Sequence, residues 1–127
     1  MEIIKKIKVL KRNVLIEITE DCRTYFHEDF WMYSNEIDFR KIPQEILMVP
    51  LLLNIAPIIW ACDLKVTIPR IDTTVRHSLS RLKQAFKKQY PEINWSGSIN
   101  SKGVESKIPS QTSKDEVVLL FSGGIDS

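Results

Sequence analysis

A continuous apolar run, Val117-Val118-Leu119-Leu120-Phe121, breaks without transition into Ser122-Gly123-Gly124-Ile125-Asp126-Ser127. An unbroken apolar strand is what a parallel sheet requires when helices cover both of its faces. A glycine-rich turn at the end of such a strand is the usual architecture of a phosphate site in an α/β domain. Without a Cβ the backbone adopts positive φ at no steric cost, and a ligand can approach it closely. Successive backbone N–H groups then converge on one concavity and hold anionic oxygens. Ser122 and Ser127 add hydroxyl donors. Asp126 has the wrong sign for phosphate, so its roles are to orient a donor or to hold Mg²⁺ against the phosphates. No lysine follows the glycines, which excludes a Walker A loop. The competing reading is a Gly-Gly turn in an ordinary hairpin.

Ser122 to Ser127, after Val117 to Phe121, resembles the pyrophosphate-binding loop of the PP-loop ATP pyrophosphatases. That superfamily includes GMP synthetase, NAD synthetase, asparagine synthetase, tRNA thiolation enzymes and 7-cyano-7-deazaguanine synthase. Five fixed positions at about 5–7% usage each coincide by chance on the order of once per million positions. The resemblance implies an adenine-nucleotide α-hydrolase-like fold. It also implies cleavage of ATP between the α- and β-phosphates and adenylation of a substrate that a nucleophile then attacks. Carried over by position, Ser122, Gly123, Gly124 and Ser127 would contact pyrophosphate, and Asp126 would sit at the Mg²⁺–phosphate face. ATP and Mg²⁺ are thus the implied cofactors, and the adenylated substrate is unidentified.

A helix N-terminus completes such a site, and it would follow Ser127. The expectation is therefore the N-terminal part of a longer protein. Residues 1–108 would be an α+β domain, 109–115 a linker, and 116–127 the first strand and loop of the α/β domain. The first domain would serve substrate recognition or assembly. The alternative is a non-catalytic interaction or RNA-binding module with a vestigial loop. Residue 2 is glutamate and no Cys-His-Glu triad is apparent, which disfavours a glutamine-hydrolysing domain. The strand-rich start, Leu64 to Asp72 and the Tyr90-Pro91 helix ending loosely resemble the domain before the loop in two kinds of protein. These are 7-cyano-7-deazaguanine synthase-like proteins and a peptidoglycan-precursor glutamate epimerase.

Upstream of the loop, Ile3–Leu10 and Val14–Glu20 read as a hairpin turning at Lys11-Arg12-Asn13. The aromatic-rich Thr24–Tyr33 reads as one or two further strands. Pro43 opens a helix to about Cys62, which Pro50 and Pro57 should kink or split. Lys65–Pro69 reads as a strand. Asp72 to Tyr90 is the clearest helix, with Asp72 as N-cap and Pro91 as stop. Ile71, Val75, Leu79, Leu82 and Phe86 form its apolar stripe. Ser96 to Lys114 is small and polar and reads as a loop or linker, with a short strand near Gly103 to Ile108. The expected core is Ile16, Ile18, Leu52, Ile55, Ile58, Val75, Leu79, Leu82 and Phe86.

Four Gly, six Pro and 43% hydrophobic residues in 127 exclude a collagen-like or wholly disordered chain. Cys22 and Cys62 are too few for a disulfide framework or zinc site and read as free thiols in a reducing cytoplasm. Ile46 to Cys62 is uncharged, but it falls short of the about 20 residues a spanning helix needs and holds Pro50, Asn54 and Pro57. A membrane segment is not expected. The charge balance, 18 basic against 16 acidic residues, does not by itself point to nucleic acid. Basic residues cluster at Lys5, Lys6, Lys8, Lys11 and Arg12 and again at Arg76, Arg81, Lys83, Lys87 and Lys88. If the clusters shared a face, RNA would be a partner, but solvated surfaces are favoured and RNA is not expected. His27 reads as an ordinary strand histidine and His77 as exposed. Trp31, Trp60 and Trp95 could stack on bases, with burial the commoner fate.

Overall fold

The computed structural model describes residues 1–103, which form a small α+β fold. The two N-terminal runs pair as an antiparallel hairpin, β1 (Ile4–Val9) and β2 (Asn13–Ile18), and β3 (Phe30–Tyr33) adds to β2 antiparallel. Val14, Ile16 and Ile18 point into the core while Leu15 and Glu17 face outward. The pairing register slips between Ile4 and Lys6. That bulge explains why Lys5 and Lys6 are both exposed in a strand that otherwise alternates.

Of the aromatic stretch Thr24–Tyr33, only the last four residues form a strand. A single 3₁₀ turn (Glu20–Cys22) precedes them, and Tyr25 and Phe26 hang their amides from the Cys22 carbonyl at 3.0 and 2.9 Å. Asp29 fixes the entry to β3. Its Oδ1 accepts from the Ile18 amide at 2.9 Å and from the Arg23 guanidinium at 2.6 Å.

The proline-containing helix is split once, at Met48, into α1 (Gln44–Leu47) and α2 (Val49–Ala61). Pro50 sits in the first turn of α2, where a missing N–H costs nothing, so the break falls just before it. Pro57 lies inside α2 without ending it. It is on the face with exposed Leu53 and Asn54, where water can satisfy the orphaned Leu53 carbonyl. Leu51, Leu52, Ile55, Ala56, Ile59 and Trp60 make the buried face. Ile58, expected in the core, is instead 40% exposed. Steps of three drift by about 60° each, which carries Ile58 about 120° away from Leu52. Asp63 takes a left-handed φ of 56°, and the Leu64 amide returns to the Ile59 carbonyl at 3.0 Å. This is a Schellman ending with aspartate where glycine is usual.

β4 (Lys65–Ile68) and β5 (Ser98–Ser101) form a parallel pair joined through α3 (Thr73–Gln89). Asp72 caps α3, accepting from the Val75 amide at 3.1 Å, and the helix stops at Gln89 before Pro91. Residues 1–3 lie between the two sheets. The Met1 carbonyl accepts from Thr67 at 2.8 Å and the Ile3 carbonyl from Thr19 at 3.0 Å. Among the described residues no helix is long and apolar enough to cross a membrane.

The reading of Ser96 onward as a loop is overturned for its first part. Ser98–Ser101 is a strand, and Trp95, Gly97 and Ile99 are buried. The small residues serve close backbone packing: a Cβ on Gly97 would lie 1.9 Å from the Ile59 carbonyl oxygen. The expected strand near Gly103–Ile108 lies, beyond Gly103, outside the described residues, as does the proposed linker 109–115.

On α3 only Leu79 of the stripe is fully buried, while Val75, Leu82 and Phe86 are half-buried against the core. Leu79→Ala should therefore cost about 2–5 kcal/mol, and Leu82→Ala about half as much. Urea melts giving equal losses for the two would contradict this packing.

Acid sensitivity follows from the aspartates that anchor turns. Asp29 is held below the ordinary carboxylate range by the Ile18 amide and by Arg23. Asp38, which caps the 3₁₀ turn Phe39–Lys41, is lowered to about 2, first by its Arg40 hydrogen bond. A depressed folded-state pKa gives stability that is present above the unfolded value of about 3.9 and lost as pH falls through the folded value. Thermal melts should thus be level at pH 5 and above and fall between about pH 4 and pH 2. Asp29→Asn should shrink that fall, and a variant with the wild-type acid limb would contradict the assignment.

Candidate functional site

The sequence-predicted site residues Ser122, Gly123, Gly124, Asp126 and Ser127, with the run Val117–Phe121, lie outside the described residues. The described part builds a cleft of its own where α3 crosses the edge of β5. It has a volume of about 330 Å³. Its floor is Trp60, Ile71, Leu79 and Ile99, all buried. Its rim is polar: Arg76, Ser80 and Lys83 from α3, Ser98 and Asn100 from β5. The capped start of α3 and its period of 3.6 place Arg76, Ser80 and Lys83 along one side of the helix.

Among the described residues, no acidic residue lines this cleft. Lys83 Nζ donates to the Gly97 carbonyl at 2.6 Å and stands 6.0 Å from the Trp60 ring centre. Burial, and then the neighbouring Lys87 charge, lower its pKa. Arg76 reaches the Ile99 carbonyl at 3.4 Å and the Ser101 hydroxyl at 3.3 Å. Both cations therefore hold α3 to β5 by its backbone carbonyls, and so blunt the strand edge. An anion entering the cleft would meet Lys83 and two serine hydroxyls above an apolar floor. This is chemistry suited to a small molecule with an apolar body and an acidic group.

The helix cations thus do not form one free basic surface. Trp60 and Trp95 are buried, as expected, in a cluster with Phe86 and Tyr90. The Phe86 and Trp95 rings are 5.1 Å apart, and the Trp95 indole donates to the Tyr90 carbonyl at 3.0 Å. Trp31 departs from the expected burial and is 67% exposed. His77 is exposed. His27 is not in a strand: it is exposed at the rim of a groove with Phe26, Asp29, Asn54 and Ile58. Cys22 is buried and Cys62 exposed, both as free thiols. Among the described residues no group of three His, Cys, Asp or Glu side chains is placed to hold a metal ion.

The cleft is hidden from the sequence because its residues come from α2, α3 and β5 and from Ile71, and the composition of Ser96 onward is that of a loop or linker. The signal that was present is the pairing of basic residues on the helix face next to the apolar stripe. Comparison with protein families, curated proteins and solved structures finds no match to the chain.

Proposed function

We propose that this chain is the N-terminal part of a PP-loop ATP pyrophosphatase that adenylates a substrate and releases pyrophosphate in the cytoplasm. The observation that carries the reading is Ser122-Gly123-Gly124-Ile125-Asp126-Ser127 directly after an unbroken apolar run. Ser122, Gly123, Gly124 and Ser127 would hold the β- and γ-phosphates through backbone amides and hydroxyls. Asp126 would hold Mg²⁺, which neutralises phosphate charge when bound. Residues 1–103 bury an apolar core of their own, which supports a separate domain ahead of the loop. The cleft beside α3 supports a role for that domain in substrate recognition.

The test is calorimetry with MgATP and a pyrophosphate assay on the reading frame continued past Ser127, with candidate acids screened as substrates. MgATP binding and pyrophosphate release are the expected results. Absence of both would favour the interaction module with a vestigial loop.

A further inference from the structure

The outer face of the three-stranded sheet carries Trp31 and Tyr33, 67% and 65% exposed. They stand two residues apart on β3, so alternation puts both rings on one face. The register places Leu15 beside Trp31, Asn13 beside Tyr33, and Lys8 on the far side of Leu15. Lys6 pairs with Glu17 on the same face, and Lys8 Nζ reaches Glu17 at 2.7 Å. Lys11 and Arg12 form the turn at the Tyr33 end. Ser34 donates to the Arg12 carbonyl at 3.0 Å, and the Arg12 guanidinium bonds the Asn35 carbonyl. A shallow groove of about 360 Å³ runs between the two rings and the β2 backbone.

Large aromatics left in water side by side mark a contact surface. The charge around them selects the partner. From Ile4 to Glu17 the hairpin has Lys5, Lys6, Lys8, Lys11 and Arg12 against the single acid Glu17. Protein–protein interfaces are depleted of lysine, whereas aromatic platforms framed by lysine and arginine suit unpaired bases on a phosphate backbone. We propose that this face binds single-stranded nucleic acid, with bases stacked on Trp31 and Tyr33 and phosphates held by Lys8, Lys11 and Arg12. The ring positions are about 6.6 Å apart along the strand, twice the base rise of about 3.4 Å. The site thus takes an opened strand and not a duplex. In the sequence, RNA is a candidate only if the helix cations share a face with the hairpin, and solvated surfaces are favoured; the exposed sheet face needs no help from the helix. The inference stands apart from the ATP loop.

The test uses fluorescein-labelled oligo(rU), oligo(dT) and a duplex of equal length, titrated with the 127-residue chain. Trp31 is the one exposed tryptophan of three, so intrinsic fluorescence reports stacking directly. Binding should appear at about 50 mM salt and weaken about 10–50-fold by about 200 mM, as three or four phosphate contacts require. Trp31→Ala and Tyr33→Ala should each weaken it about tenfold, and the first should remove the fluorescence quench. The tighter of rU and dT then names the nucleic acid. Failure of both single strands to bind at low salt would overturn the proposal. So would equal affinity for the duplex, or an unchanged affinity in Trp31→Ala. Self-association by sedimentation that Trp31→Ala abolishes, without oligonucleotide binding, would assign the face to a protein contact instead.

Discussion

Gly97→Ala should destabilise residues 1–103 by about 3–5 kcal/mol, at the severe end for a single methyl group. The added Cβ would fall 1.9 Å from the Ile59 carbonyl oxygen, 2.6 Å from its carbon and 2.8 Å from the Trp60 Cα. All three are backbone atoms of α2, so no side chain can turn aside. Either α2 or β5 must shift. A shift of β5 endangers the Gly97 amide bond to the Trp60 carbonyl at 3.1 Å and the Ser98 bond to Leu64 at 2.8 Å. It also endangers the Lys83 bond to the Gly97 carbonyl. With about 4–8 °C lost per kcal/mol in a domain of this size, the midpoint should drop by more than about 12 °C. Gly103→Ala is the control. Its nearest neighbours, at 3.5 Å, are at ordinary contact distance, so its melt should match the wild type. Equal melts for Gly97→Ala and the wild type would disprove the close approach of β5 to α2.

Gly97 also shows why part of the fold was hidden. Gly, Ser and Asn in succession have the composition of a linker, and only the neighbouring helix reveals that small size is the requirement. The hairpin and α3 were legible because their signals are local: β2 alternates residue by residue, and Asp72 and Pro91 bracket a stripe of period 3.6. Trp31 departs from its expected burial for the opposite reason. An aromatic strand reads as core, and nothing within Phe30–Tyr33 says which face meets the interior; the pairing with Val14 and Ile16 decides that. The two prolines of the split helix look alike in sequence. One lies at the helix start and breaks the chain before it, while the other lies on the solvent face and is absorbed. The proposed phosphate loop is the inverse case of the cleft. Its proposed donors are consecutive in sequence and can be recognised in one line, whereas the lining of the cleft is gathered from separate elements.

In the protein continued past Ser127, Asp126→Ala and Gly123→Val should each lower pyrophosphate release by a factor of about 10³ or more. The proposed mechanism needs charge stabilisation where the bond between the α- and β-phosphates breaks. Removing one preorganised donor from such a site costs about 10²–10³ in rate, and the two substitutions do more than that. A valine at position 123 would set a branched side chain where phosphate must touch the backbone, and it disfavours positive φ. Alanine at 126 removes the carboxylate proposed to hold Mg²⁺, leaving the phosphate charge uncompensated. The two should differ in binding: Gly123→Val loses ATP itself, while Asp126→Ala loses mainly the dependence of binding on Mg²⁺. Both positions lie in the proposed second domain, so the Trp60 and Trp95 fluorescence and the urea midpoint of residues 1–103 should stay at wild-type values. Wild-type pyrophosphate release in Asp126→Ala would remove the aspartate from the site. Wild-type release in both variants would leave the hexapeptide as an ordinary turn, and with it the ATP-dependent function.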